Sequence, residues 1–189
     1  MLDLQQVPSA FHASVQRYWE QFETARQARQ LPGLGELVSA DLGFSGQLAR
    51  AFAASEYIAS TCAIKPEYLV ALVAGGSLFR PLEDEDLDAL AQVVTTATSD
   101  LELDKILRQQ RHQAMIRIIW RDLNRTASMQ ETTGELSRFA DQIIQLAASH
   151  HYRELEKFYG TPIGGESGQV QPSMVLGMGK LGARELNVS

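Results

Sequence analysis

Residues 173–189 read Ser-Met-Val-Leu-Gly-Met-Gly-Lys-Leu-Gly-Ala-Arg-Glu-Leu-Asn-Val-Ser, and they combine the residue types that handle phosphate. The apolar run 174–176 predicts a buried strand. It breaks at Gly177-Met178-Gly179, and 180–186 predicts the start of a helix. A strand that ends in glycines brings backbone N–H groups close to whatever lies above it. Phosphate oxygens suit that position, because no Cβ blocks their approach and the N–H groups point at them. Lys180 then adds a compact positive charge beside the same point. Gly177, Gly179, Lys180 and Gly182 are therefore the candidate nucleotide- and phosphate-binding residues.

Two other readings compete for the same glycines. Gly177-x-Gly179-x-x-Gly182 after a strand matches the dinucleotide-binding fingerprint of an oxidoreductase, which also requires a βαβ unit and an acidic residue further on. Against it, doubly wound domains alternate strand and helix, whereas a long helical stretch precedes this strand. A glycine-rich turn also serves simply to let a strand and a helix pack closely. The Walker pattern is excluded, because the glycine-to-lysine spacing is wrong and Leu181 stands where Ser or Thr would hold magnesium.

The string Gly-Met-Gly-Lys-Leu-Gly-Ala-Arg-Glu-Leu-Asn-Val-Ser (177–189) resembles the glycine motif of the bifunctional glutamine synthetase adenylyltransferase/adenylyl-removing enzymes, members of the polymerase-beta-like nucleotidyltransferases. Three upstream segments are similar to the same family, in the same order: 107–111 (Leu-Arg-Gln-Gln-Arg), 117–123 (Arg-Ile-Ile-Trp-Arg-Asp-Leu) and 158–162 (Phe-Tyr-Gly-Thr-Pro). The resemblance implies an enzyme that attaches AMP from ATP to a tyrosine of glutamine synthetase. The same enzyme removes that AMP by phosphorolysis with inorganic phosphate, giving ADP. Met1, the helical region and the Asn187-x-Ser189 variant place the chain in the N-terminal, adenylyl-removing copy. The resemblance adds Ser189 to the nucleotide-binding set and implies Mg2+, whose carboxylate ligands would follow directly on Ser189. No catalytic or metal-binding residue is then expected within the chain, and the chain alone is expected to be inactive. It also implies glutamine synthetase and a PII-type signal protein as partners.

The elements that must position the glycine turn are helical. The 189 residues are 44% apolar but only 7% aromatic, enough for one aliphatic core. A net charge of −6 argues against nonspecific nucleic-acid binding. The single cysteine, Cys62, fits a reducing cytosol. No run reaches the length of a membrane span and no signal peptide is present, so a cytoplasmic location is expected. Helices are predicted over 9–29 (Phe11, Val15, Trp19 and Phe22 on one stripe), 45–60, from Pro66 to Gly75, and 82–96 with an acidic start. Two long helices follow, each with a capping box: Ser99 with Glu102, running to about Thr126, and Thr132 with Glu135. The fold class is mainly α, a helical bundle (1–160) and a Gly/Pro loop (161–172) leading into the first strand and glycine turn of a truncated α+β nucleotidyltransferase domain (173–189). A lone strand there would leave its ladder groups unpaired.

The remaining polar residues carry blander expectations. Arg117, Arg121 and Arg125 recur every four residues, opposite Met115, Ile116, Ile119, Trp120 and Leu123, and read as the wet face of an amphipathic helix, the alternative being a surface for an acidic partner. Arg108 lies toward the apolar side and needs a carboxylate or ligand if buried; Arg111 stands beside it. His12, His112, His150 and His151 lack metal-ligand spacing, and adjacent residues point about 100° apart on a helix, so His150 and His151 are not expected to share an ion. Cys62 is expected to be a packed thiol. Residues 1–160 alone would also suit a non-catalytic helical interaction module.

Overall fold

A computed structural model describes residues 2–38 and 43–188, so Met1 and Ser189 lie outside the described residues. The described residues divide into two compact units, one formed by 2–38, 43–82, 109–132 and 188, the other by 83–108 and 133–187. Secondary structure is mainly α, as the patterning predicts.

In the first unit a 3-10 turn, Ser9–Phe11, leads into α1 (His12–Ala28), followed by α2 (Leu34–Leu37), α3 (Phe44–Ala54), α4 (Glu56–Ile64) and α5 (Pro66–Ala74). α1 packs against α3, α4 and α5. Val15 and Phe22 on its stripe are fully buried, whereas Phe11 is exposed and Trp19 half-buried, stacked on Phe22. The single helix expected over 45–60 is two helices. Ser55 is extended, and its hydroxyl accepts a hydrogen bond from the Ile58 N–H at 3.2 Å, so one residue ends α3 and caps α4. Cys62 is buried in this core and its thiol is pushed far up by burial, a packed thiol as expected.

α6 (Asp84–Thr95) starts with a reciprocal box between Glu83 and Asp86. α7 (Asp100–Leu123) and α8 (Met129–Tyr159) follow. At the start of α7, Ser99 caps the Glu102 N–H at 3.3 Å, but the Glu102 carboxylate turns to the Thr98 N–H and hydroxyl, which hold it below its ordinary pKa. α8 begins earlier than predicted. The capping box that forms is Ser128 with Glu131, not Thr132 with Glu135: the Glu131 N–H donates to the Ser128 hydroxyl and the Ser128 N–H to the Glu131 carboxylate. Thr132 sits inside the helix, buried, and bonds Asp122 at 3.3 Å.

The arginine row is the main correction. Ile116, Ile119 and Trp120 are buried as predicted, Trp120 stacked on Phe44 with centroids 5.4 Å apart. Arg117 and Arg121, however, are only 4% and 3% exposed. This stretch of α7 is enclosed on nearly every side, and its two guanidinium groups find partners there. Arg117 donates from Nε to the Arg80 carbonyl at 3.1 Å and from Nη2 to the Pro81 carbonyl. Arg121 pairs with Glu131 at 2.5 Å and holds that carboxyl below its ordinary pKa, chiefly through this hydrogen bond. Arg125 alone is exposed, because α7 ends before it. Arg125 adopts φ +56°, its N–H donates to the Asp122 carbonyl and the Thr126 N–H to the Arg121 carbonyl, the two bonds of a Schellman closure. Arg108 corrects the other way: it is exposed and paired with Asp104 along the helix.

In the second unit Leu90, Val94, Leu103, Leu136 and Phe139 are buried. Ile143, Ile144 and Ala147 of α8 are only half-buried. α8 ends at Gly160, where φ is +79°. Ile163 and Val170 form an isolated antiparallel bridge. Residues 174–176, predicted as a strand, are 60–78% exposed and pair with no strand among the described residues.

A substitution series separates the two readings of the arginine row. Trp120→Ala is expected to cost about 3–5 kcal/mol as a core truncation. Arg121→Ala should cost ~2–3 kcal/mol, because it strands a partly buried carboxylate, while Arg125→Ala stays within about 0.5 kcal/mol. Urea melts of the three variants test this ranking. Equal and small losses at all the arginines would restore the solvated face.

Candidate functional site, the glycine turn

Residues 174–177 form no regular secondary structure, Met178 is extended, and the chain then makes α9 (Gly179–Gly182), a single helical turn. Gly179 opens it at φ +57°, a left-handed conformation that side chains resist. A Cβ built on Gly179 meets nothing within 4 Å, so the requirement for glycine is conformational and the space beside it is open. Gly182 is constrained differently. A Cβ there would lie 2.5 Å from the Gly177 carbonyl oxygen and 3.0 Å from its carbon. Gly177 and Gly182 therefore fold against each other backbone to backbone, and this contact sets the path between them.

The predicted helix over 180–186 stops after one turn for the same reason that α7 stops. Arg184 lies at φ +58°; its N–H donates to the Leu181 carbonyl at 3.1 Å and the Glu185 N–H donates to the Lys180 carbonyl at 2.8 Å. This Schellman closure reverses the chain and brings Asn187 back beside Lys180. Lys180 is exposed, and its Nζ donates to the Asn187 Oδ1 at 3.2 Å. Arg184 reaches Asp141 of α8 at 3.9 Å. Neither Asn187 nor Asp141 was identifiable as a partner in the sequence, because both contacts depend on the reversal at a residue that is not glycine.

The first N–H groups of a helical turn have no acceptor within the helix. Here they belong to Gly179, Lys180 and Leu181, and a Cβ direction at Gly179 that meets no atom lies beside them. The arrangement suits an anion with several oxygens. Between the turn and α8 lies a cleft of about 490 Å³, with Asp141, Gln145 and Ser149 on the helix side and Val175, Gly177 and Leu181 on the other. The structure thus brings Gly177, Gly179, Lys180 and Gly182 together; Ser189 lies outside the described residues.

No group of three or more His, Cys, Asp or Glu side chains among the described residues is arranged to hold a metal ion. His150 and His151 instead converge on one carboxylate oxygen, with Asp100 Oδ1 at 3.4 Å from His150 Nε2 and 3.6 Å from His151 Nδ1. His112 lies between the rings of Tyr57 and Tyr68, its Nδ1 2.8 Å from the Tyr57 hydroxyl, and burial holds its pKa below the ordinary value with help from Arg111.

The family model of glutamate-ammonia ligase adenylyltransferase matches residues 45–189. A bifunctional glutamine synthetase adenylyltransferase/adenylyl-removing enzyme of Nitrosococcus oceani is 44% identical over 138 residues, 72% of this chain and 14% of the relative. One from Hahella chejuensis is 36% identical over 188 residues, 99% of this chain and 19% of the relative. A third, from Pseudomonas putida, is 44% identical over 138 residues. The chain thus spans 14–19% of the length of the curated relatives it matches.

Two alanine variants distinguish the two kinds of glycine. Gly182→Ala cannot keep the Gly177 contact, so amide shifts in a 15N–1H spectrum should move at Gly177, Ala183 and Glu185 together. Gly179→Ala meets no atom and bears only the left-handed penalty of about 1–2 kcal/mol, so its shifts should stay local. Local shifts for both variants would remove the backbone contact as the constraint on the turn.

Proposed function

The chain belongs to the glutamate-ammonia ligase adenylyltransferase family, and on that premise we propose that it is the adenylyl-removing part of an enzyme that regulates glutamine synthetase. The whole enzyme would attach AMP from ATP to a tyrosine of glutamine synthetase. It would remove that AMP by phosphorolysis, in which a phosphate oxygen bonds to the AMP phosphorus, the tyrosyl oxygen leaves, and ADP is released. The observation that supports the reading is the glycine turn, where Gly179 leaves its Cβ direction open and the adjacent Lys180 supplies a positive charge.

Each residue has a distinct task in this proposal. Backbone N–H groups at Gly179 and Lys180 donate to phosphate oxygens, and the missing side chain of Gly179 lets those oxygens reach the backbone. Lys180 sets a positive charge where the oxygens gather negative charge as the phosphorus–oxygen bonds exchange. Gly182 makes no ligand contact; it holds the Gly177–Lys180 path in place. Ser189 belongs to the same nucleotide-binding set. The proposed chemistry would also use Mg2+, for which the described residues offer no cluster that fits. A PII-type signal protein is the proposed second partner, and the cytoplasm, where a reduced Cys62 persists, the proposed location.

The dinucleotide reading is less well supported. Its fingerprint opens a full helix that packs on a parallel sheet, whereas α9 closes after four residues and the described residues hold no βαβ unit.

Lys180→Ala in the full-length enzyme should remove one charge-assisted contact and slow phosphate-dependent ADP release from adenylylated glutamine synthetase by roughly ten- to a hundredfold. AMP attachment should be nearly untouched. Unchanged ADP release would take Lys180 out of the site, and equal loss of both activities would point to folding instead.

A further inference from the structure

Lys180 is a flexible four-carbon side chain on an exposed turn, and an ammonium group placed that way has no fixed position of its own. A lysine that stabilises a phosphate must nevertheless be held where the charge develops, since a group that must first be ordered gives up part of its effect. The structure contains a device that orders it. The Schellman closure at Arg184 is made by the Glu185 N–H to Lys180 carbonyl bond at 2.8 Å and the Arg184 N–H to Leu181 carbonyl bond at 3.1 Å. It turns the chain back so that residue 187 lies over residue 180. There the Asn187 Oδ1 accepts a hydrogen bond from Lys180 Nζ at 3.2 Å.

The chemistry of Asn187 suits holding a cation without competing for it. A carboxylate at this position would neutralise the ammonium and repel an approaching phosphate. An amide oxygen directs one of the three N–H donors and leaves the charge and the other two donors for a ligand. The reversal is made at a non-glycine residue in the left-handed conformation, Arg184 at φ +58°, a conformation that costs a side-chain-bearing residue free energy. The guanidinium of Arg184, 3.9 Å from Asp141 on α8, ties the same reversal to that helix.

We propose that Asn187 is a positioning residue for Lys180, fixing its ammonium group beside the open side of the glycine turn; this rests on the phosphate reading of Lys180 given above. Asn187 touches no substrate. Its effect passes through Lys180, and this sets it apart from a residue that binds phosphate itself or only stabilises the fold.

A double-mutant cycle on the full-length enzyme tests it, with kcat and the KM for inorganic phosphate measured for ADP release by Asn187→Ala, Lys180→Ala and the double variant. Asn187→Ala should slow release about three- to tenfold, the rate equivalent of one ordinary net hydrogen bond. The double variant should be no slower than Lys180→Ala alone, because without the ammonium there is nothing left to position. Thermal midpoints should be the same for wild type and Asn187→Ala. As a check independent of turnover, the Asn187 side-chain amide resonances should shift in Lys180→Ala. Losses that multiply in the double variant would make Asn187 an independent contributor and overturn the proposal while leaving the phosphate reading intact. Full activity in Asn187→Ala beside a slow Lys180→Ala would overturn it as well. An undiminished Lys180→Ala would instead strike the phosphate reading, and the positioning role with it.

Discussion

Two guanidinium groups that water scarcely reaches set the constraint on which the first unit depends. An unpaired buried charge costs several kcal/mol, so Arg117 and Arg121 are tolerable only if the chain around them supplies acceptors. Arg117 takes the carbonyls of Arg80 and Pro81, and Arg121 takes Glu131. Each partner belongs to a segment whose path would otherwise be weakly specified: the stretch after the 3-10 turn Ser77–Phe79, and the connection between α7 and α8. Glu131 serves twice, since the same carboxylate closes the box with Ser128 that starts α8. The charges therefore act as register marks for loops, while Ile116, Ile119 and Trp120 on the same turns supply the apolar burial.

The glycine turn depends on a constraint of another kind, one of space. Gly182 must lack a side chain because the Gly177 carbonyl occupies the place of its Cβ. Gly179 must lack one for conformational reasons, and the volume left beside it is open. Glycines that look alike in a fingerprint thus divide into one that builds the turn and one that leaves room above it. A dinucleotide fingerprint makes a similar division of labour, and for that reason the bare spacing could not choose between the two chemistries.

What was legible in the sequence was what local rules decide. Val15 and Phe22 of the first predicted stripe, Pro66 at the start of α5, the acidic start of α6 and the core position of Trp120 all follow from periodicity and end chemistry, and the structure has them, while Phe11 and Trp19 of that stripe are not buried. The errors share a cause. Gln30, Arg125 and Arg184 make left-handed closures without a glycine, so α7 and the helix after Lys180 end before the positions the sequence predicts. The break at Ser55 and the box at Ser128 were written in capping residues, yet a neighbouring apolar run or a second Thr-x-x-Glu pattern outweighed them. Arg117 and Arg121 were placed in water because periodicity presumes one wet face, and the carbonyls that accept from Arg117 come from residues 36 and 37 positions away. Of the candidate site, the glycine turn as a local break in the chain was legible. The return of Asn187 to Lys180 was not, because it exists only after the chain reverses.

The phosphate reading requires that a phosphate approach the backbone at Gly179. Its most direct test is phosphate-dependent ADP release from adenylylated glutamine synthetase by full-length Gly179→Asn enzyme. Asparagine accepts the left-handed conformation that Gly179 holds, so the substitution adds a Cβ and side chain to the open space with little backbone strain. The account predicts a folded enzyme whose ADP release falls about a hundredfold or more, with AMP attachment retained. ADP release at the wild-type rate in Gly179→Asn would contradict it.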